Sequence, residues 1–314
     1  MTDADEIHVV FGANGALGGA VVRELVARGK RVRAVNRSGN AQVPEGVEVV
    51  AGDATKPEST RRVCEGAAVV YHCAGAPYHD WPARFPPLMD GLIEGAAAAG
   101  ARLIFGDNLY LYGSVDGLLT EDLPDNATGP KGRTRAQVAR TLLDAHHEGR
   151  VRAAIGRASD FYGPGVRLST MGERVFRPAL TGEAASVLGN LDAPHTYTFI
   201  DDFARALITL GARDEALGQA WHVPNAETLT TRQFLEHVFE AVGHPPNIRA
   251  APGWLESILG LFNPVIRELK ETRYQRDQPF VVDHSKFDRA FGSHPTPLPE
   301  AIRQTLDWYR RHPG

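Results

Sequence analysis

Short apolar runs alternating with helical patterns constrain this chain more than any other feature. IHVVF at 7–11, KRVRAVN at 30–36, VEVVAGD at 47–53, AAVVYHC at 67–73, ARLIFGD at 101–107 and VRAAIGR at 151–157 read as strands. Most are β-branched, apolar on both faces and bounded by Gly, Asn or Asp, as strands covered on both sides must be. Between them, Leu17, Val21, Val22, Leu25 and Val26 repeat at helical spacing before Gly29. Leu88, Leu92, Ile93, Ala96 and Ala97 do so before Gly100, and Ala136, Val138, Ala139, Leu142 and Leu143 before Gly149. A glycine just past the last periodic residue is a helix stop. Strand–helix–strand order demands right-handed crossovers and a parallel sheet with helices on both faces.

After Arg157 the pattern loosens. Residues 161–197 carry several Gly and Pro and one short helical pattern, 203–210 read as a helix, and QAWHV at 219–223 as a further strand. Helices dominate from Thr230 onward. We therefore expect an α/β chain in which 1–162 and 198–223 form the sheet domain. A smaller, interleaved C-terminal substrate lobe takes 163–197 and 224–314.

Composition narrows the class. With 314 residues, 43% hydrophobic and 23% charged, the chain can bury a full core and is not disordered. A net charge of −4 lacks the basic footprint of a nucleic-acid binder. Cys64 and Cys73 are too few for a disulfide framework and suit a reduced compartment. The opening MTDADEI has no signal-peptide character, and no apolar run nears the roughly 20 residues of a membrane helix. A cytoplasmic, soluble protein without membrane association is the expectation. No metal-ligand spacing and no G-x-S-x-G occurs, so no metal is expected.

The sharpest motif is VVFGANGALGGAVV, placing Gly12, Gly15 and Gly18 where the first strand turns into the first helix. Gly12 suits the tight turn, Gly15 the close approach of a pyrophosphate, and Gly18 the packing of helix on sheet. The helix N-terminus, with Asn14, Ala16 and Leu17 around it, offers free N–H groups to the phosphates. The second strand ends at Asn36-Arg37-Ser38, without the acid that accepts from a ribose 2′-OH in an NAD site. Arg37 and Ser38 offer a cation and a hydroxyl, which favours NADP(H) over NAD; the alternative is a solvated loop charge. Asp53, beside Ala54, is placed to accept from an adenine amino group, and equally to cap the helix that follows.

These residues, with the HCAG of His72 to Gly75, resemble the short-chain dehydrogenase/reductase superfamily, in its extended, epimerase/dehydratase-like branch. LYLYG from Leu109, RASDFYGP from Arg157, TFIDDFARAL from Thr198 and the closing FDRAFG…PTPLPEAIRQTLDWYR are similar to later landmarks of that branch. The resemblance spans nearly the whole chain. It implies a Rossmann-type, doubly wound parallel sheet carrying the dinucleotide, with Cys73, Ala74 and Gly75 among its contacts, and a lobe closing over a small-molecule substrate. It also implies a homodimer through two helices, here starting near Arg84 and Arg135.

The catalytic pattern departs from that branch, whose active site pairs a Ser or Thr with Tyr-x-x-x-Lys. The matching segment here is KGRTRAQ, with Lys131 in place of the Tyr, Arg135 in place of the Lys, and Asn108 at the Ser/Thr position. Asn108 can orient a substrate oxygen. Tyr110, two residues further along the same segment, is pointed to the same side by strand alternation, where the resemblance implies an acid in sugar dehydratases of the branch. Lys131 and Arg135 share a helix face, and two adjacent cations would favour a neutral Lys131 amine. A nearby ammonium would lower the Tyr110 phenol pKa. Tyr162 is expected near the nicotinamide. Against these stand plainer roles: Tyr110 as a packing aromatic, Lys131 and Arg135 as solvated charges, Tyr162 as a turn residue. The leading expectation is an NADP(H)-dependent oxidoreductase or epimerase acting on a hydroxyl or carbonyl of a nucleotide sugar or secondary metabolite. A non-redox enzyme on the same scaffold and a dinucleotide-sensing protein are the alternatives.

Overall fold

The computed structural model describes residues 6–251 and 270–313. The acidic residues 1–5 and residues 252–269 of the expected substrate lobe lie outside the described residues. All seven strands expected from the sequence form: β1 (Ile7–Phe11), β2 (Arg31–Asn36), β3 (Glu48–Ala51), β4 (Ala67–His72), β5 (Arg102–Asn108), β6 (Arg152–Ala158) and β7 (Ala220–His222). They make one sheet in the order β3-β2-β1-β4-β5-β6-β7, with every adjacent pair parallel. Because the winding reverses between β1 and β4, a crevice opens at the carboxyl ends of those two strands.

The helices follow in chain order: α1 (Ala16–Ala27), α2 (Pro57–Cys64), α3 (Trp81–Ala99), α4 (Pro130–His147), α5 (Glu173–Thr181), α6 (Ile200–Ala212), α7 (Thr231–Val242), α8 (Ser285–Phe291) and α9 (Leu298–Arg311). Alternation along each strand divides the core in two. Val9, Phe11, Leu103 and Phe105 face α2, α3 and α4, whereas Val10, Ile104 and Ala154 face α1 and α6. A third core, of Phe176, Phe199, Phe234, Phe239 and Tyr309, is gathered by α5, α7 and α9. No described helix is long and apolar enough to cross a membrane.

Helices α3 and α4 begin earlier than Arg84 and Arg135, at Trp81 and Pro130. Pro82 and Pro130 sit in the first turns, where a missing N–H costs nothing, whereas Pro86 and Pro87 lie inside α3. Two glycines of α3 set its depth. A Cβ on Gly91 would lie 2.1 Å from the Ala54 carbonyl oxygen, and one on Gly95 would lie 2.7 Å from Thr60 Cβ. The helix thus rests directly on the loop leaving β3 and on α2. Gly91→Val should cost about 1–3 kcal/mol through overpacking, read as a lower urea midpoint; an unchanged midpoint would mean α3 is not seated this closely.

Candidate active site

The floor of the β1/β4 crevice is bare backbone. Gly12 leaves β1 with φ +84°, and a Cβ on it would fall 2.6 Å from the Ala74 backbone beyond β4. A Cβ on Gly18 would sit 2.2 Å from the Gly12 carbonyl oxygen. The third glycine therefore seats α1 on the Gly12 turn, rather than on the sheet as expected. Gly15 is the N-cap of α1, with no side chain capping the helix and no acid in its first turn. The orphan amides around Ala16 and Leu17 are left for an anion. Opposite them, Cys73 and Ala74 are half-buried and Gly75 is exposed, with open space where its Cβ would be. A cradle that side chains would fill, facing an uncapped helix, fits a dinucleotide pyrophosphate.

Beside the cradle, the loop after β2 is built on one carbonyl. Asn40 O accepts from Asn36 Nδ2 at 2.9 Å and from Asn14 Nδ2 at 3.1 Å. Ser38 Oγ donates to Asn36 Oδ1 at 2.9 Å. This ties the loop to the glycine turn and leaves Arg37 exposed, with no hydrogen bond or ion pair among the described residues. Asp53 accepts from Thr55 N–H at 3.0 Å and Thr55 Oγ1 at 2.7 Å, bonds that hold its carboxyl below the usual range. The N-cap of α2 is Lys56, so Asp53 closes the turn ahead of the helix instead of capping it. Ala54 is buried beneath α3.

At the end of β5, Asn108 Oδ1 accepts the Tyr110 N–H at 3.0 Å. The strand stops there and Tyr110–Tyr112 forms a 3₁₀ turn, so strand alternation does not carry to Tyr110. The Tyr110 hydroxyl shares a 2.9 Å hydrogen bond with that of Tyr78. Their rings form a ladder through Trp81, with centroids 4.9 Å from Tyr78 and 5.6 Å from Tyr110. Burial, with the Tyr78 phenol and the Asp160 carboxylate, pushes the Tyr110 pKa well above its ordinary value. The expected lowering by Lys131 is overturned. Lys131 Nζ lies 3.4 Å from Glu271 Oε2, while Glu271 Oε1 accepts the backbone N–H of Lys131 and Gly132 at 2.8 and 3.1 Å. The ammonium therefore has a counter-ion that the neutral-amine expectation did not include.

Arg135 is buried rather than solvated. Its guanidinium carbon lies 4.3 and 3.9 Å from the Trp81 and Phe85 ring centroids, and Nη1 donates to Asp107 Oδ1 at 3.3 Å. Arg157 Nε is 3.7 Å from the other Asp107 oxygen, and its Nη1 donates to Tyr112 Oη at 2.8 Å. Burial raises the Asp107 carboxyl above its ordinary value, although the two guanidiniums oppose that shift. The chain of bonds continues from Tyr112 Oη to His222 Nε2 at 2.9 Å. Tyr162 corrects another expectation: it is 1% exposed, its ring packed by Phe199 and Phe234 at 5.5 and 4.9 Å in the lobe core. It does not reach the crevice. Among the described residues, no group of His, Cys, Asp and Glu is placed to hold a metal.

The family model described as NAD dependent epimerase/dehydratase matches residues 8–223. The chain belongs to this family. It is 25% identical to sterol demethylase protein B of Methylococcus capsulatus, over 96% of this chain and 98% of that one. It is 27% identical to a 2-alkyl-3-oxoalkanoate reductase of Stenotrophomonas maltophilia, over 76% of each. Among solved structures, the UDP-glucose 4-epimerase of Thermus thermophilus in complex with NAD superposes with a TM-score of 0.77 at 21% identity, covering 98% of this chain and 99% of that one. The last likeness is one of fold.

As a member of the epimerase/dehydratase family the chain is an enzyme, of oxidoreductase or epimerase type. Asn108, Lys131 and Arg135, singled out in the sequence by resemblance, each have a protein partner that sequence spacing does not show. Tyr78, Asp107, Arg157 and Glu271 were missed. Asp107 had a signal, an acid closing an otherwise apolar strand; Glu271, 140 residues from Lys131, had none.

His72, the last residue of β4, is fully buried and stacks on Phe105 at 4.6 Å. Burial and Arg135 lower its pKa from 6.5 to about 3, so it stays neutral in the fold. A depressed folded pKa gives stability that is complete above about pH 6.5 and is lost as pH falls toward about 3. Below pH 6, wild type should lose about 1.4 kcal/mol per pH unit more than His72→Leu. Parallel urea-stability curves for the two would contradict this.

Proposed function

We propose that this enzyme is an NADP(H)-dependent oxidoreductase that interconverts a carbonyl and a hydroxyl on a small substrate with an apolar or aromatic body. The observation carrying the cofactor preference is the loop after β2. It is pre-tied through Asn14, Asn36 and Asn40, carries no acid at Asn36, Arg37 or Ser38, and leaves the Arg37 guanidinium exposed. Gly12, Gly15 and Gly18 would hold the pyrophosphate, with Asp53 at the adenine end. When bound, the nicotinamide supplies or removes hydride; the protein's own groups orient the substrate and manage the proton.

The aromatic ladder of Tyr78, Trp81 and Tyr110 supports the substrate class. Tyr78 is 38% exposed at the end of that ladder, offering a flat apolar wall. Relatives named as sterol and 2-alkyl-3-oxoalkanoate enzymes agree with such a wall better than a nucleotide sugar does. The raised phenols of Tyr78 and Tyr110 remain protonated; one donates to the other, and the O–H left over serves as hydrogen-bond donor to a carbonyl oxygen beside Asn108. Lys131, fixed by Glu271, adds positive charge near the Tyr78 ring, 5.7 Å from its centroid.

One observation favours the non-redox alternative. Arg135 is withdrawn into its aromatic cage and is not free to grip a ribose as the ordinary lysine does. The lobe at 163–197 and 224–314 is proposed to close over the substrate. A homodimer through α3 and α4 would join faces carrying Arg84, Asp90, Arg140 and Asp144, so ion pairs rather than apolar burial would hold it.

The test is calorimetric and kinetic. NADPH should bind more tightly than NADH, and Arg37→Ala should remove about 1.5–3 kcal/mol of that difference. Equal affinities in wild type would sink the preference. NADPH consumption with a 3-oxosteroid or a 2-alkyl-3-oxoalkanoate, and none with a UDP-4-ketohexose, supports the substrate class. Turnover without net NADPH consumption would favour the non-redox reading.

A further inference from the structure

Beside the Tyr78–Tyr110 pair lie a carboxylate and an imidazole that no role above uses. Strands β5 and β6 pair Asn108 with Ala158, so Tyr110 and Asp160 each stand two residues beyond one position of the sheet. Asp160 O accepts the Thr198 N–H at 3.0 Å, which anchors the Asp160 loop to the strand pairing at Thr198–Phe199. Asp160 Oδ2 is 3.5 Å from His195 Nε2. On the far edge of the ring, His195 Nδ1 lies 3.0 Å from the Gln275 carbonyl oxygen.

The hydrogen positions follow from these two contacts. A carbonyl can only accept, so Nδ1 carries a hydrogen. Nε2 then faces Asp160 with either a lone pair or a second proton, and it has no other hydrogen-bond partner. The ring cannot swing away, being 4% exposed and stacked on Tyr197 at 4.4 Å and Phe280 at 5.3 Å. A lone pair held against a carboxylate is repulsive; one proton between the two removes the conflict. The Asp160 side chain keeps 19% of its surface and that of His195 only 5%, so the carboxylate is the open end of the pair. Arg276 and the phenols of Tyr78, Tyr110, Tyr197 and Tyr274 are the other ionisable groups facing it. Burial would raise the Asp160 carboxyl, but His195 and Arg276 hold it below its ordinary value.

We propose that Asp160, positioned by His195, delivers the proton to the substrate carbonyl oxygen, in the place of the absent family tyrosine. This rests on the oxidoreductase reading above. In the reductive direction, the carbon takes hydride with its electron pair from the reduced nicotinamide and the C=O π bond breaks. The Nε2–H bond breaks as its proton passes to the Asp160 carboxylate, and the carboxyl O–H gives its proton to the oxygen. Neutral imidazole and carboxylate remain, and water restores the proton. The Tyr78–Tyr110 pair orients the same oxygen through its one remaining O–H. Asp160 is the catalytic residue here and His195 a positioning residue.

The ¹⁵N spectrum of the apoprotein's histidines at pH 7 tests the shared proton without substrate or cofactor. In wild type, the His195 Nε2 signal should be that of a protonated nitrogen. In Asp160→Asn it should move to the unprotonated position, and Asp160→Glu should restore it. An unprotonated Nε2 in wild type, or the same signal in wild type and Asp160→Asn, overturns the proposal. In the 3-oxosteroid and 2-alkyl-3-oxoalkanoate assays, Asp160→Asn should lower kcat at least about 10²-fold with unchanged NADPH affinity. His195→Gln should shift the pH profile of kcat. Wild-type kcat in Asp160→Asn also overturns it. Failure of NADPH to bind wild type defeats the cofactor reading alone, since the nitrogen signals are read without it.

Discussion

The close approach of Gly18 to Gly12 is the contact on which the rest of the site depends. With a Cβ at Gly18 only 2.2 Å from the Gly12 carbonyl, any side chain there would lift α1 off the turn that ends β1. Gly12 is equally confined, against Ala74 at the end of β4. These two backbone approaches bring the ends of the two switch-point strands and the uncapped start of α1 to a single crevice. The chain spends no side chain on its floor. What binds there must meet backbone amides, and an anion is the ligand that such a surface suits.

A second constraint lies behind the first. Asp107, at the penultimate position of β5, is buried between Arg135 and Arg157, and Arg135 is enclosed by Trp81 and Phe85. A buried charge network of this kind adds little net stability, because desolvation offsets the Coulomb attraction. It fixes geometry instead. The Asp107–Arg135 bond joins β5 to α4, so the turn bearing Asn108 and Tyr110 and the helix bearing Lys131 are held together. The ladder of Tyr78, Trp81 and Tyr110 grows from the same cage. The planar guanidinium of Arg135 suits this cage, since it stacks on aromatic faces as an ammonium does not.

Much of the frame is legible in the sequence because it rests on local periodicity. Strands covered on both faces read as continuous apolar runs, and the seven expected all formed. Gly29, Gly100 and Gly149 follow their helices with positive φ, as helix stops should. The catalytic end was far less legible. Tyr110 was placed by extending strand alternation past Asn108, where the chain turns into a 3₁₀ helix instead. Its phenol was expected to be acidified by Lys131, but Glu271, distant in sequence, claims that ammonium. Tyr162 sits in a segment that reads as a turn, yet its ring is drawn into a core formed with α5 and with α7, which begins only at Thr231. Local spacing shows which residues share a strand or helix; it does not show which charge meets which counter-ion across the fold.

Gly15 separates the ligand's needs from the protein's. A Cβ there would meet only the Gly12 carbonyl oxygen, at 3.2 Å, and its φ of −80° suits any residue. Gly15→Val should therefore fold, whereas the same change at Gly12 or Gly18 would not leave the turn intact. The decisive measurement is NADPH titration of Gly15→Val by calorimetry, with its unfolding midpoint recorded alongside. Loss of detectable binding in a protein of near wild-type stability is the expected result. Near wild-type affinity in that variant would mean the glycine turn does not hold the cofactor, and the account of this crevice would fail.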